Sequence, residues 1–227
     1  MPDRARAIAG RDRVVPDLAN SRLLLGDWSR LVRDPLDLLR IAFVAGAIWF
    51  AAAGDVKGAF NLALGAVVLL AARLANLPRI YDLALIVSMT LTQGGEAIGL
   101  YDTWLWYDRV VHFVVPMLTS QVIYLCLARL EVLPDPQQET LRRHNAGMFV
   151  VTFALGLAVG AVWEIFEWSS DGLFGSELSQ GNVDTVGDLI ADGSGSLAGG
   201  ALMVLWSTKG WGSVRRVPGS RREDVSA

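Results

Sequence analysis

Apolar blocks recur six times along this 227-residue chain, mostly of the roughly 17–25 residues that cross a hydrocarbon core of about 30 Å as a helix, the first being the shortest. Inside a bilayer every backbone N–H and C=O needs an internal partner, so a block of this kind must be helical. Composition excludes hiding them in a soluble core: 52% of residues are hydrophobic and 19% charged, whereas soluble domains carry roughly a quarter charged residues. The expected fold is all-α, a polytopic membrane helical bundle. Spans are predicted over 38–53, 58–76, 82–100, 108–130, 146–168 and 184–206, within one membrane domain covering 35–208. Short connectors make consecutive helices antiparallel neighbours, and no internal repeat is evident.

The flanks differ in character. Residues 1–20 carry Arg4, Arg6, Arg11 and Arg13 with few apolar groups, the composition of a disordered basic tail. Over 21–34, Leu24, Trp28, Leu31 and Val32 recur at helical spacing opposite Arg22, Asp27, Arg30 and Arg33, which predicts an amphipathic helix lying on the membrane surface. Residues 209–227 read as a second basic tail. The run 41–50 followed by Ala51-Ala52-Ala53 has the look of a signal-peptide core, but it follows some forty residues of arginine-rich chain and is read as an uncleaved first span. Arg73, near the end of the second span, is expected to snorkel to the headgroups. Cys126 is a lone apolar packing residue. With net charge −3 and no basic patch beyond the membrane pattern, membrane lipids are the expected surroundings and nucleic acid is not an expected partner.

Lys and Arg alternate sides. The N-terminal tail, Arg79, then Arg129, Arg142 and Arg143, and finally the C-terminal tail fall on one side, against Lys57 and Arg109 on the other. By the positive-inside rule both termini are cytoplasmic. The tryptophans and tyrosines, among them Trp49, Trp104, Trp106, Tyr107, Trp163, Trp168 and Trp206, fall near the two interfaces as aromatic belts do.

Against this apolar background the acidic residues fall into stripes. Asp108 and His112 open the fourth span at i and i+4. Glu164, Glu167 and Asp171 close the fifth at i, i+3 and i+7, and Asp184, Asp188 and Asp192 open the sixth at i, i+4 and i+8. Each set shares a helix face, and topology brings all three, with Glu96, to the outer side. Carboxylates at membrane depth cost about 2.5–3.5 kcal/mol each on insertion scales, so they must be paired, protonated or bound to a cation. Basic partners at that level are Arg109 and His112. Oxygen ligands with one imidazole suit a divalent metal. The metal candidates are Asp108, His112, Glu164, Glu167, Asp184, Asp188 and Asp192, with Glu164 and Asp188 as catalytic candidates and Glu96, Asp171 and Gln180 as substrate-binding ones. A plainer account exists for some: Asp184 as a helix N-cap, Asp188 as a first-turn carboxylate at the helix dipole, Asp171 as a solvated group. His144, on the other side, reads as an ordinary loop residue. Gly156-x-x-x-Gly160 and Gly195-x-x-x-Gly199 allow close helix packing, and Gly193 with Gly195 is expected to loosen the sixth helix locally.

Trp-Tyr-Asp108-x-x-x-His112-Phe, Trp-Glu164-x-x-Glu167-x-x-x-Asp171 and Asp184-Thr-x-x-Asp188-Leu-x-x-Asp192, preceded by Gln180, resemble the YjdF-like bacterial inner-membrane family, more distantly similar to VanZ-like proteins. The resemblance implies a multi-pass fold in the bacterial cytoplasmic membrane, with no agreed activity. Three functions compete: a metal-dependent hydrolase or lipid-modifying enzyme working at the outer leaflet, a cation or proton transporter, and a non-catalytic accessory subunit. Few polar groups (Thr119, Gln121, Asn61) occupy the cytoplasmic halves of the spans, which favours a one-sided site over a conduit.

Overall fold

The computed structural model describes residues 35–75, 77–136, 142–175 and 181–209. The expected basic tail over 1–20, the amphipathic helix over 21–34, Gln180 and the tail beyond Lys209 lie outside these. Among the described residues the regular structure is helical, without strands. Six principal helices follow the apolar blocks: α1 (Leu36–Ala52), α2 (Val56–Leu74), α3 (Arg79–Met89), α4 (Tyr107–Arg129), α5 (His144–Phe174) and α6 (Asn182–Lys209). Four of them, α2, α4, α5 and α6, are long and apolar enough to cross a membrane. At 17 residues, α1 is shorter. After α3 the winding loosens into a π turn over Thr90–Gly94 and then closes again over Gly95–Ala97.

Local chemistry sets the ends. Asp55 caps α2 by accepting from the Gly58 amide at 2.9 Å, and Gly54, at φ 81°, makes the tight turn out of α1. Pro35 and Pro78 precede α1 and α3, where a missing N–H costs nothing. Helix α6 begins at Asn182, so Asp184 sits in its first turn and is not the cap.

Helices α4, α5 and α6 pack against one another as a three-helix unit. Helices α1 to α3 form a second layer that meets it chiefly through α3 on α4. With lipid outside, apolar burial does little to bring helices together; close backbone approach and polar contacts do that work. The glycine motifs now have partners. A methyl group on Gly156 would meet Ser196 Oγ at 2.5 Å, and one on Gly160 would meet Asp192 Oδ2 at 2.1 Å, so this pair admits α6. Gly195 and Gly199 instead face α4: a Cβ at Gly195 would lie 1.9 Å from the Phe113 carbonyl oxygen. The sixth helix runs through Gly193 and Gly195 without interruption; Gly195 serves packing against α4 and not unwinding, while Gly193 faces open space apart from Leu157 at 3.9 Å.

Three further expectations change. Arg73 does not snorkel. It is buried, and its Nε donates to Asp37 Oδ1 at 2.8 Å. Arg40 donates to the same Asp37 oxygen at 3.0 Å, to Asp82, and to the Leu69 carbonyl at 3.2 Å. Among the described residues, two arginines and two aspartates thus form a buried knot across α1, α2 and α3, and partners inside the protein spare Arg73 the reach to headgroups. His144 is no loop residue: it is buried at the first position of α5. Trp206 is also buried, edge-on to Tyr81 at 5.4 Å, in a core with Tyr124, Leu125, Met148 and Met203.

Candidate functional site

At the opposite end from the arginine knot, the first turns of α4, the second half of α5 and the first half of α6 bring their stripes together. His112 stands at the centre. It is 4% exposed, its Nδ1 is 3.1 Å from Asp192 Oδ1, and its Nε2 is 3.6 Å from Asp108 Oδ1 and 3.7 Å from Glu164 Oε1. The i,i+4 step on α4 supplies the Asp108 contact, while α5 and α6 supply the others. Asp188 and Asp192 are each 1% exposed and Glu164 is 7% exposed, a depth at which lone carboxylates are not tolerated.

Arg109 lies against α6. Its Nε is 2.9 Å from Asp188 Oδ1 and its Nη2 is 3.6 Å from Asp184 Oδ1. Gly187 makes this possible, since a Cβ there would meet the guanidinium at 2.6 Å. Thr185 hydrogen-bonds Glu164 from α6. Even so, Glu164 Oε1 and Asp192 Oδ2 are buried oxygens with no hydrogen bond among the described residues.

Two sets of three side chains could hold a cation, with donor atoms within 4.8 Å of one another: Asp108, His112 and Asp188, and His112, Glu164 and Asp192. They share one histidine. The remaining sequence candidates are placed elsewhere. Glu167 accepts from Trp163 Nε1 at 2.8 Å, and Asp184 faces Arg109. Glu96 pairs with Lys57 at 2.6 Å. Asp171 lies near the end of α5, half-buried, where its carbonyl accepts from the Gly175 amide at 3.1 Å.

Features the sequence reading passed over frame this cluster. Pro116 sits inside α4 one turn below His112 and, lacking an N–H, offers the His112 carbonyl no helical donor. The π turn presents the Leu91 carbonyl to the Tyr107 hydroxyl at 2.7 Å, and Gly95 leaves room for that side chain, whose hydroxyl a Cβ would meet at 2.1 Å and whose ring at 2.7 Å. A proline inside an apolar span and the Gly94-Gly95 pair were the available signals. Beside the cluster lies a partly open cavity of about 660 Å³ between α2 and α5, floored by α4, with His112 and Asp192 in its wall. Tyr101, also in the wall, is held above the ordinary tyrosine range by burial, with Asp108 adding to the effect, and so stays an uncharged hydroxyl.

A family model described as a predicted membrane protein (DUF2238) matches residues 36–209, which takes in every principal helix. No curated protein and no solved structure matches the chain.

Proposed function

We propose, for a chain that belongs to the predicted membrane protein family DUF2238, a metal-dependent hydrolase or lipid-modifying enzyme whose site is the His112 cluster. The observation that carries this reading is the meeting of buried carboxylates and one histidine at the wall of an apolar cavity. An enzyme for lipids needs both in one place. A divalent cation supplies Lewis acidity and an activated water. Its proposed ligands are Asp108, His112 through Nε2, and Asp188, one of the two sets above, once Arg109 turns aside from Asp188, with Glu164, 3.7 Å from the same Nε2, next in line. Asp192 is proposed to hold Nδ1–H and so fix which nitrogen faces the cation, the usual outer-shell role of a carboxylate on a ligating histidine. Glu164 or Asp188, whichever is not engaged, would take the proton of the attacking water. Glu167, Asp184, Glu96, Asp171 and Gln180 then belong to the rim.

Purified protein tests this directly. Elemental analysis is expected to find a stoichiometric divalent metal in the wild type, with most of it lost in Glu164→Gln and Asp188→Asn. A metal-free wild type would sink the proposal.

A conduit for cations or protons is the second reading, favoured by the buried Ser120, Gln121, Thr152 and Ser196 beneath the cluster. Ser196 and Thr152, however, each donate to a carbonyl one turn back in their own helices, at 2.6 and 2.8 Å, and do not link to one another. Ion flux in proteoliposomes, abolished by Glu164→Gln, would support the conduit.

The six principal helices are proposed as six spans of a bacterial cytoplasmic membrane, with both termini cytoplasmic and the His112 cluster at the outer face. A reporter fused after the last residue is expected to be active only in its cytoplasmic form; activity of its external form would reverse the orientation.

A further inference from the structure

The cavity beside the cluster has a shape and a polarity of its own. Its lining descends α4 from Val111 through Val115 to Ile123, about 18 Å at 1.5 Å per residue. That is close to one leaflet of a hydrocarbon core about 30 Å thick. Polar groups occur mainly at one end, where His112, Asp192, Thr92 and Tyr101 contribute; the rest of the wall is hydrocarbon from Leu64, Leu155, Ala158 and their neighbours. Its opening exists because α2 and α5 do not pack on each other along this stretch of α4.

The volume decides between occupants. About 660 Å³ is within the range of small-molecule sites, roughly 300–1,000 Å³. A water-soluble substrate would leave its polar groups against a wall that offers no hydrogen bonds, at a cost of about 1–3 kcal/mol for each. A saturated or prenyl chain makes no such demand.

We infer that this groove seats one hydrocarbon tail of a lipid drawn from the surrounding bilayer, with the lipid's polar head at His112 and Asp192 and the tail end at Ile123 and Leu155. The inference rests on the enzyme reading above and names its substrate class: a tailed amphiphile, presented head first to the carboxylates. It also explains the neighbourhood of Gly160. The missing side chain there lets Asp192 stand at the groove wall.

The test uses the full-length protein in phosphatidylcholine vesicles containing trace phosphatidylcholine with a diazirine either near the carbonyl or near the terminal methyl of one acyl chain. After photolysis, mass spectrometry reads the adduct positions. The near-carbonyl probe is expected to label Val111, Val159 and Trp163, and the terminal probe Ile123 and Leu155. Ala158→Trp, and independently Val162→Trp, should cut groove adducts several-fold while leaving those on the lipid-facing Ile48 and Val150 unchanged. Adducts spread evenly over the exposed faces, without head-to-tail order, would overturn the inference, as would indifference to both fillings. Ordered adducts in a protein that binds no metal would support the tail site and overturn the enzyme reading alone. Glu164→Gln, expected to lose metal, should keep the tail adducts in order.

Discussion

Gly195→Ala should cost the protein much of its stability, while Gly193→Ala, two residues away on the same helix, should cost none. The added methyl at Gly195 would lie 1.9 Å from the backbone oxygen of Phe113 and 2.8 Å from its carbonyl carbon. A backbone cannot rotate aside as a side chain can, so α4 and α6 must move apart. Overpacking typically costs about 1–3 kcal/mol, and a backbone obstacle puts this case at the upper end. Separation would also pull Asp188 and Asp192 away from His112. At Gly193 the new methyl would meet only Leu157, at 3.9 Å, an ordinary contact. There the better helix propensity of alanine should add about 0.5–1 kcal/mol. Thermal unfolding of both variants in detergent, beside the wild type, checks the contrast. Equal melting temperatures would mean that α4 and α6 are not in backbone contact.

The arginine knot should give an effect of comparable size. Arg40→Leu removes the bonds to Asp37, Asp82 and the Leu69 carbonyl and leaves two buried carboxylates without the guanidinium they share. Breaking a buried ion pair by removing one member costs about 3–5 kcal/mol. Arg40→Leu combined with Asp82→Leu removes both members of the Arg40–Asp82 pair while Arg73 still faces Asp37, and is expected to recover part of the loss. That non-additivity is the diagnostic result. Lys57→Ala is the control: it breaks the Lys57–Glu96 pair, but Lys57 is 69% exposed, and pairs of that kind contribute about 0–1 kcal/mol. If Arg40→Leu behaved like Lys57→Ala, the knot would not be holding α1 in place.

The helices were legible because a membrane leaves an apolar block no other structure; most observed bounds differ from the expected ones by a few residues, but α3 stops as a regular helix at Met89, well short of 100, and α5 runs on to Phe174 past 168. The acidic stripes were legible because i,i+4 spacing on α4 and α6 survives any packing arrangement. What could not be read was how charges are shared between helices. Asp37 and Arg40 are three apart at the start of α1, but nothing local announces that Arg73 and Asp82, from two other helices, join them. Read alone, Arg73 looked like a snorkelling side chain. The same limit applies at the site. Spacing places Glu164 and Glu167 on related faces, and Glu167 meets Trp163 at i,i+4 within α5, yet only tertiary contact turns Glu164 toward His112. The groove left still less trace, because it lies where two helices do not pack closely on each other.

Helix length carries one more implication. At 1.5 Å per residue α1, with 17 residues, is about 26 Å long, and α5, with 31, about 46 Å. In the six-span arrangement these stand in one bundle, one falling short of a 30 Å core and the other exceeding it. Lipids accommodate such mismatch by thinning beside the short helix and thickening, or yielding to tilt, beside the long one. The protein would therefore impose a slope on its own annulus of lipid, and the height at which a headgroup meets His112 becomes a property of the membrane's thickness as much as of the fold.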